Sequence, residues 1–107
     1  MAGRSLAFRY EVSVSAVTTA VTCHGSLLSE NVDELKQLIK PMIPICRHIV
    51  VDLSDVHYID SAGLGALISL KVSAASAAYC SLEFINFSPL VKELLNTTKL
   101  GQLFSAS

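Results

Sequence analysis

The first quarter of the chain carries the apolar pattern of β-structure. Between residues 8 and 14 apolar side chains alternate with polar ones, which is the period of a half-buried strand. Residues 17–24 are rich in Val and Thr and predict a second strand, so we expect the chain to open with a hairpin. Residues 25–29 are then expected to form a connection.

Three later segments show the spacing of amphipathic helices, and two of them have clear boundary signals. Asn31 and Glu34 are placed like a capping box, and Pro41 and Pro44 mark the end of that helix. Ser88 followed by Pro89 is a typical start for the third helix. The residues predicted to face the core are Val32, Leu35, Leu38, Ile39 and Met42 in the first helix, Leu64, Leu67, Ile68, Val72 and Ala75 in the second, and Leu90, Val91, Leu94 and Leu95 in the third.

Short β-branched runs separate these helices. Residues 49–53 are almost wholly apolar and predict an interior strand, covered on both faces, at the centre of the sheet. Ser54 and Asp55 predict a turn, and residues 82–86 predict the next strand. The order predicts an α/β fold with a mixed β-sheet, an N-terminal hairpin followed by alternating helices and strands. One more short helical turn is expected at residues 100–104.

Composition limits the classes of function. The 107 residues suit one domain, residues 1–107, and 51% hydrophobic against 16% charged residues favours a folded chain. The net charge is −1 and the basic residues are scattered, so the chain has no positive surface potential that would attract nucleic acid, and we expect no nucleic-acid binding. We find no signal-peptide pattern and no apolar run of membrane-spanning length, so a cytoplasmic protein without membrane insertion is expected. Cys23, Cys46 and Cys80 lie in or beside apolar runs and are interpreted as buried thiols.

The most informative segment lies where a strand run meets the second helix. It reads Asp60-Ser61-Ala62-Gly63-Leu64-Gly65. The Ser61 hydroxyl at this position fits two interpretations, a helix cap with no other task or a group presented for modification by a partner protein. Gly63 and Gly65 leave the backbone bare, which would let another molecule come close.

Enzyme and metal interpretations find little support. A nucleophile elbow needs glycine at position 59, which is Ile, and a triad needs a histidine beyond His57. The glycine segment has no lysine for a phosphate-binding P-loop and lacks the small third residue of a dinucleotide fingerprint. Asp52, Asp55 and Asp60 could hold magnesium in principle, but such carboxylates are more typical of turns and caps. We therefore predict no catalytic residue, no metal and no cofactor.

The chain resembles a known family from about residue 12 to residue 104. Residues 51–67, VDLSDVHYIDSAGLGAL, resemble the signature of the STAS domain family, specifically the single-domain anti-sigma factor antagonists. The segment NFSPLV at 86–91 and the leucine-rich end at 94–104 resemble later parts of that family. The resemblance implies the STAS fold, with the strand and helix order given above.

The resemblance also implies a function for the glycine segment. It implies that Ser61 is phosphorylated by a serine kinase that is also an anti-sigma factor, and that a PP2C-type phosphatase reverses this. The unphosphorylated antagonist would bind the anti-sigma factor and release a sigma factor, with Asp60, Ala62, Gly63, Leu64 and Gly65 forming the partner surface. This would be partner switching in bacterial transcription regulation.

One departure from the family keeps an alternative open. Members of the family often have Gly-Glu-Leu-Asp after the second strand, whereas this chain has Gly25-Ser26-Leu27-Leu28 and lacks both carboxylates. The alternative is a STAS subunit that works without phosphorylation, in a stress-signalling assembly or as the soluble component of a lipid transport system. A further alternative is a small-ligand or nucleotide-binding domain, which only the glycine turn supports.

Overall fold

The computed structural model describes residues 8–77 and 79–98. Its elements follow the order strand, strand, helix, strand, helix, strand, helix. They are β1 (Arg9–Val14), β2 (Thr19–Leu27), α1 (Val32–Ile39) with a 3-10 turn at Lys40–Met42, β3 (His48–Ile59), α2 (Ser61–Ser76), β4 (Ser81–Ile85) and α3 (Pro89–Thr98). The helical turn predicted at residues 100–104 lies outside the described residues.

The strands form one sheet in the order β1-β2-β3-β4. β1 and β2 pair antiparallel, whereas β3 runs parallel to both β2 and β4. The predicted hairpin, the mixed sheet and the central position of residues 49–53 are therefore confirmed. One face of the sheet packs on the helices, since alternate strand residues such as Val21, Val51 and Phe84 share a single core cluster with the buried residues of the helices.

The outer face of the sheet is only half-buried. Val50 and Asp52 of β3 are half-buried there, so the expectation that residues 49–53 are covered on both faces is wrong. The predicted turn at Ser54 and Asp55 is also wrong, because β3 continues through it. Between the pairs Thr22–Asp52 and His24–Asp55, β3 carries one residue more than β2 and forms a bulge. The Ser54 N–H donates to Asp52 Oδ1 at 2.9 Å. Asp and Ser side chains make such local bonds in turns as well, which is why the sequence of this bulge resembles that of a turn.

β2 is longer than its sequence predicts. It continues to Leu27 through Gly25, whose φ of 95° is a backbone conformation that glycine adopts without strain.

The capping box predicted for α1 is absent. The Asn31 side chain accepts from the Leu28 N–H at 2.7 Å, and the Glu34 N–H donates to the Asn31 carbonyl oxygen at 3.2 Å. α1 ends at Ile39, and Met42 lies in the 3-10 turn.

The buried faces of α2 and α3 differ in part from the predicted stripes. Val72 is 59% exposed and Leu90 is 51% exposed, while Ile68 and Leu94 are half-buried and Ala75 is exposed. The buried residues are Gly63, Leu64, Ala66, Leu67, Leu70 and Ala74 in α2 and Val91 and Leu95 in α3. Lys71 is the one charged residue of α2, so polarity does not distinguish its faces. The predicted start of α3 is confirmed, since buried Ser88 accepts from the Val91 N–H and donates to the Val56 carbonyl oxygen.

The inward face of β1 is uncovered. Tyr10, Val12 and Val14 pair across the ladder with residues of β2 that are buried, yet all three are exposed. The half-buried strand predicted for residues 8–14 is thus correct as a strand and wrong in burial, since only Phe8 is buried.

The three cysteines differ in burial. Cys23 is fully buried, which raises its pKa to about 12, and Cys46 and Cys80 are half-buried.

Candidate functional site

The glycine segment lies at the carboxyl ends of the two central strands. β2 ends at Leu27, which pairs with Ile59, the last residue of β3. The next residue along the chain, Asp60, donates its N–H to the Leu27 carbonyl oxygen at 3.3 Å. α2 begins directly after it, so the turn is fixed between a parallel strand pair and a helix. This is the edge of an α/β sheet where binding sites are commonly built.

Asp60 is the N-cap of α2. Its Oδ1 accepts from the Gly63 N–H at 2.8 Å, and its Oδ2 accepts from the Ser29 N–H at 2.9 Å. These two backbone hydrogen bonds hold the pKa of the Asp60 carboxyl below its usual value, and the bond from Gly63 has the larger effect. The turn therefore carries a negative charge at neutral pH, and it is tied to the segment that leads into α1.

Ser61 is the first residue of α2, and its side chain is exposed. Because Asp60 caps the helix, the Ser61 hydroxyl is not needed there, and it makes no hydrogen bond to a described residue. Of the two interpretations that the sequence left open, the cap belongs to Asp60. The hydroxyl of Ser61 is an accessible alcohol on a rigid turn.

The two glycines of the turn have different surroundings. A Cβ on Gly63 would overlap the Leu27 carbonyl oxygen and come within 2.7 Å of Ile59 Cγ1, whereas a Cβ on Gly65 would meet nothing within 4 Å. Gly63 and Leu64 are buried, which corrects the expectation that they face a partner: they support the turn from beneath. The accessible part of the predicted surface consists of Ser61, Ala62 and Gly65 with half-exposed Asp60.

A shallow groove begins beside this turn. It has a volume of about 400 Å³ and is lined by Ile59 at the end of β3 and by Leu90, Glu93, Leu94 and Thr97 of α3. A larger groove of about 510 Å³ lies between the β1–β2 turn and residues 45–48, and no predicted site residue lines it. The groove beside the turn adds apolar surface next to the accessible serine.

The three aspartates do not form a shared site. Asp60 caps α2, Asp52 bonds the Ser54 N–H and the Asn86 amide, and Asp55 contacts His24 and His57. Over residues 8–77 and 79–98, no group of three or more His, Cys, Asp or Glu side chains is placed to hold a metal ion. Each carboxylate thus has a local structural role, Asp60 as a helix cap, Asp52 in the bulge and Asp55 as a partner of two histidines. Such roles are common for aspartates in turns.

Two residues of the site could not be identified from the sequence. Ser29 and Leu27 hold the turn through backbone groups, across about thirty residues of chain. Backbone bonding leaves no mark on residue identity, and neither residue type signals such a role. Only the departure at residues 25–28 drew attention to this stretch.

Comparison with known proteins assigns the fold to a family. The family model STAS_2, described as "Mlab, STAS domain", matches residues 10–105. The chain belongs to the STAS domain family.

Solved structures of similar fold include two anti-sigma factor antagonists. A STAS-fold neighbour from Mycobacterium paratuberculosis, an anti-sigma factor antagonist, is 19% identical with a TM-score of 0.80, covering 92% of this chain and 84% of that one. The Bacillus cell fate determinant SpoIIAA in its phosphorylated form is 21% identical with a TM-score of 0.68, covering 91% and 87%. A sulfate transporter family protein from Wolinella succinogenes is 17% identical with a TM-score of 0.73, covering 88% and 76%. These likenesses show that the STAS fold accommodates very different sequences.

Within the described part of the chain, no helix is both long and apolar enough to cross a bilayer.

Proposed function

We propose that this STAS domain is an antagonist of an anti-sigma factor and that phosphorylation of Ser61 switches it off. The observation that carries the proposal is the exposed Ser61 hydroxyl, free of hydrogen bonds to described residues, on a turn fixed by Asp60 and Gly63. The fold that this chain shares with anti-sigma factor antagonists supports it. The partner would be an anti-sigma factor that also acts as a serine kinase, and a PP2C-type phosphatase would restore the free hydroxyl.

The local geometry suits a switch that changes the surface and leaves the fold intact. A phosphate on Ser61 would add about 1.5 to 2 negative charges at the first residue of α2. The positive end of the helix dipole tolerates an anion there, so the domain would stay folded. A partner packed on Ser61, Ala62 and Gly65 would have to bury that charge next to the Asp60 carboxylate. Binding would therefore be lost without any rearrangement of the chain.

The first experiment measures phosphorylation itself. Incubation with the anti-sigma factor kinase and ATP is expected to add one phosphate, about 80 Da, to the intact chain at Ser61. Ser61→Ala should abolish the addition. Ser29→Ala is the matched control, because Ser29 is exposed and bonds the same turn through its backbone, which the substitution keeps. Phosphate on Ser29, or none on the wild-type chain, would refute the switch.

The second experiment measures binding to the anti-sigma factor by calorimetry. Ser61→Asp should weaken it by about 3 kcal/mol, the order of burying an unpaired charge, while Ser61→Ala should bind like wild type. Equal affinity of all three proteins would mean that Ser61 lies outside the interface.

A second function is favoured by two specific observations. The matching family model is described by the name Mlab, and the acidic pair of the antagonists is replaced by Ser26, which is fully buried, and half-buried Leu28. A STAS subunit that binds its partner without phosphorylation, in a stress-signalling assembly or a lipid transport system, fits this departure. It would be identified by a chain that no kinase modifies and that co-purifies with a transporter or scaffold subunit.

A further inference from the structure

A chain of charged side chains crosses three strands on the outer face of the sheet. His24 of β2 lies between Glu11 of β1 and Asp55 of β3, with Nε2 at 2.6 Å from Glu11 Oε1 and Nδ1 at 2.6 Å from Asp55 Oδ2. His57 extends the chain, with Nε2 at 3.1 Å from Asp55 Oδ1. The His24 side chain is only 20% exposed, while its carboxylate partners are more open.

The chemistry of the imidazole decides the charge of this cluster. A neutral ring has one N–H and one lone pair, so it can donate to one carboxylate only. The second carboxylate of the cluster would then face a lone pair at 2.6 Å. With both carboxylates ionised, both contacts are hydrogen bonds only when both ring nitrogens carry a proton, so the geometry favours an imidazolium between two carboxylates.

The position of the cluster gives it a structural consequence. β1 is an edge strand, and each of its six residues is exposed, so packing against the core contributes little to its attachment. Among described residues, the β1 backbone pairs with β2 alone, and the Glu11–His24 contact adds a side-chain link to that ladder. The β3 bulge places Asp55 opposite His24, which ties the link to the centre of the sheet.

We propose that His24 is a proton-dependent clamp that holds the edge strand β1 on the sheet while the imidazole is doubly protonated and loosens it when the ring loses a proton. The expected consequence is an edge strand whose attachment to the sheet depends on pH. The element released when His24 loses a proton is β1, and not the Ser61 turn, which His24 does not contact.

The charges around His24 set the direction of the pH dependence. The hydrogen bonds to Glu11 and then Asp55 raise the pKa of His24 above its ordinary 6.5. Asp52 of β3 acts in the same sense, since it and His24 attract each other, while Arg9 of β1 lies directly opposite His24 and opposes it. Burial of the ring acts against the two hydrogen bonds and lowers the pKa of His24, and His57 shares Asp55 through a contact of 3.1 Å with Oδ1.

The sign follows from linkage. Because the folded-state pKa is raised, the stability from the clamp is fully present below pH 6.5 and is lost as the pH rises through the folded-state value. The Asp55 carboxyl has a lowered pKa, chiefly because His24 bonds it, so its own loss occurs at acidic pH, outside this window. The clamp is therefore tested between pH 6 and pH 9.

The experiment combines NMR with urea unfolding of the whole chain. The ¹⁵N signals of the His24 ring should show both nitrogens protonated at pH 6, with a titration midpoint above the ordinary histidine pKa of 6.5. The urea midpoint should fall from pH 6 to pH 9 in the wild type, and protection of the β1 amides, corrected for intrinsic exchange, should fall more than that of β4.

Variants separate the clamp from other histidine effects. Glu11→Gln keeps the shape of the side chain and removes one charge, so the His24 midpoint should move down and the loss of stability should shift to lower pH. His57→Gln is the control and should keep the alkaline loss of stability. His24→Gln should abolish it.

Three outcomes would overturn the clamp. They are a His24 ring that titrates at or below its ordinary value, an alkaline loss of stability that His24→Gln retains, and β1 amides no more pH-sensitive than those of β4. The NMR titration of the wild-type chain decides the matter even if His24→Gln does not fold.

Discussion

The sheet is held in contrasting ways at the Ser61 turn and at β1. At the turn, Asp60 bonds two backbone N–H groups and Gly63 fits against the Leu27 carbonyl with no room for a methyl group. At β1, the residues on the inward face remain exposed, and a charged histidine supplies the side-chain link. The comparison teaches that the proposed partner site can be rigid, because a phosphate on Ser61 would change its charge without changing its shape, while the proposed conformational response would lie at the loosely packed edge.

The largest effect is expected from a methyl group added at the turn. Gly63→Ala should lower the free energy of unfolding by about 3 kcal/mol, because the Cβ would overlap the Leu27 carbonyl oxygen and Ile59. Gly65→Ala is the matched control two residues away, with open space around its Cβ, and should raise stability by up to about 1 kcal/mol through helix propensity. Urea denaturation measures both. Equal stability of the two variants would mean that the turn is not tightly packed.

The next effect compares two residues that face each other across the β1–β2 ladder. Val21 of β2 is fully buried and its partner Val12 of β1 is 40% exposed. Val21→Thr should cost about 2 kcal/mol by burying a hydroxyl, whereas Val12→Thr should stay within about 0.5 kcal/mol of wild type. A similar loss for both variants in thermal or urea unfolding would show that the β1 face is covered in solution.

The smallest effect tests two buried serines near the turn. The Ser26 hydroxyl is fully buried with no hydrogen-bond partner among the described residues, whereas Ser88 bonds the Val56 carbonyl and the Val91 N–H. Ser26→Ala should therefore raise stability by about 1 kcal/mol, and Ser88→Ala should lower it by about 1.5 kcal/mol. A loss on Ser26→Ala would indicate that this hydroxyl has a partner in solution.

The sequence predicts best where a local rule decides the structure. The start of α3 at Ser88 and Pro89, the central strand and the strand-to-helix junction at Asp60 follow from short-range chemistry. The glycines show the limit. A glycine favours close approach by any backbone, and the sequence does not say whether that backbone is a partner's or, as for Gly63, that of Leu27.

The remaining errors have tertiary causes. Alternation in residues 8–14 indicates which side chains share a face, but whether a helix covers that face depends on where α1 and α2 pack. Likewise Ser54 and Asp55 favour a turn locally, and pairing with β2 converts the irregularity into a bulge. The contact between His24, Glu11 and Asp55 depends on that bulge, so no local pattern announces it.

The fit of Gly63 sets a rule for any descendant of this protein. A lineage without the proposed regulation through Ser61 could exchange that serine, and Gly65 with it, at little cost in stability. Position 63 would have to stay glycine in every such copy, because the side chain it lacks is excluded by the domain's own second strand. Loss of the proposed switch and loss of the fold are thus separable, although positions 61 and 63 lie only two residues apart.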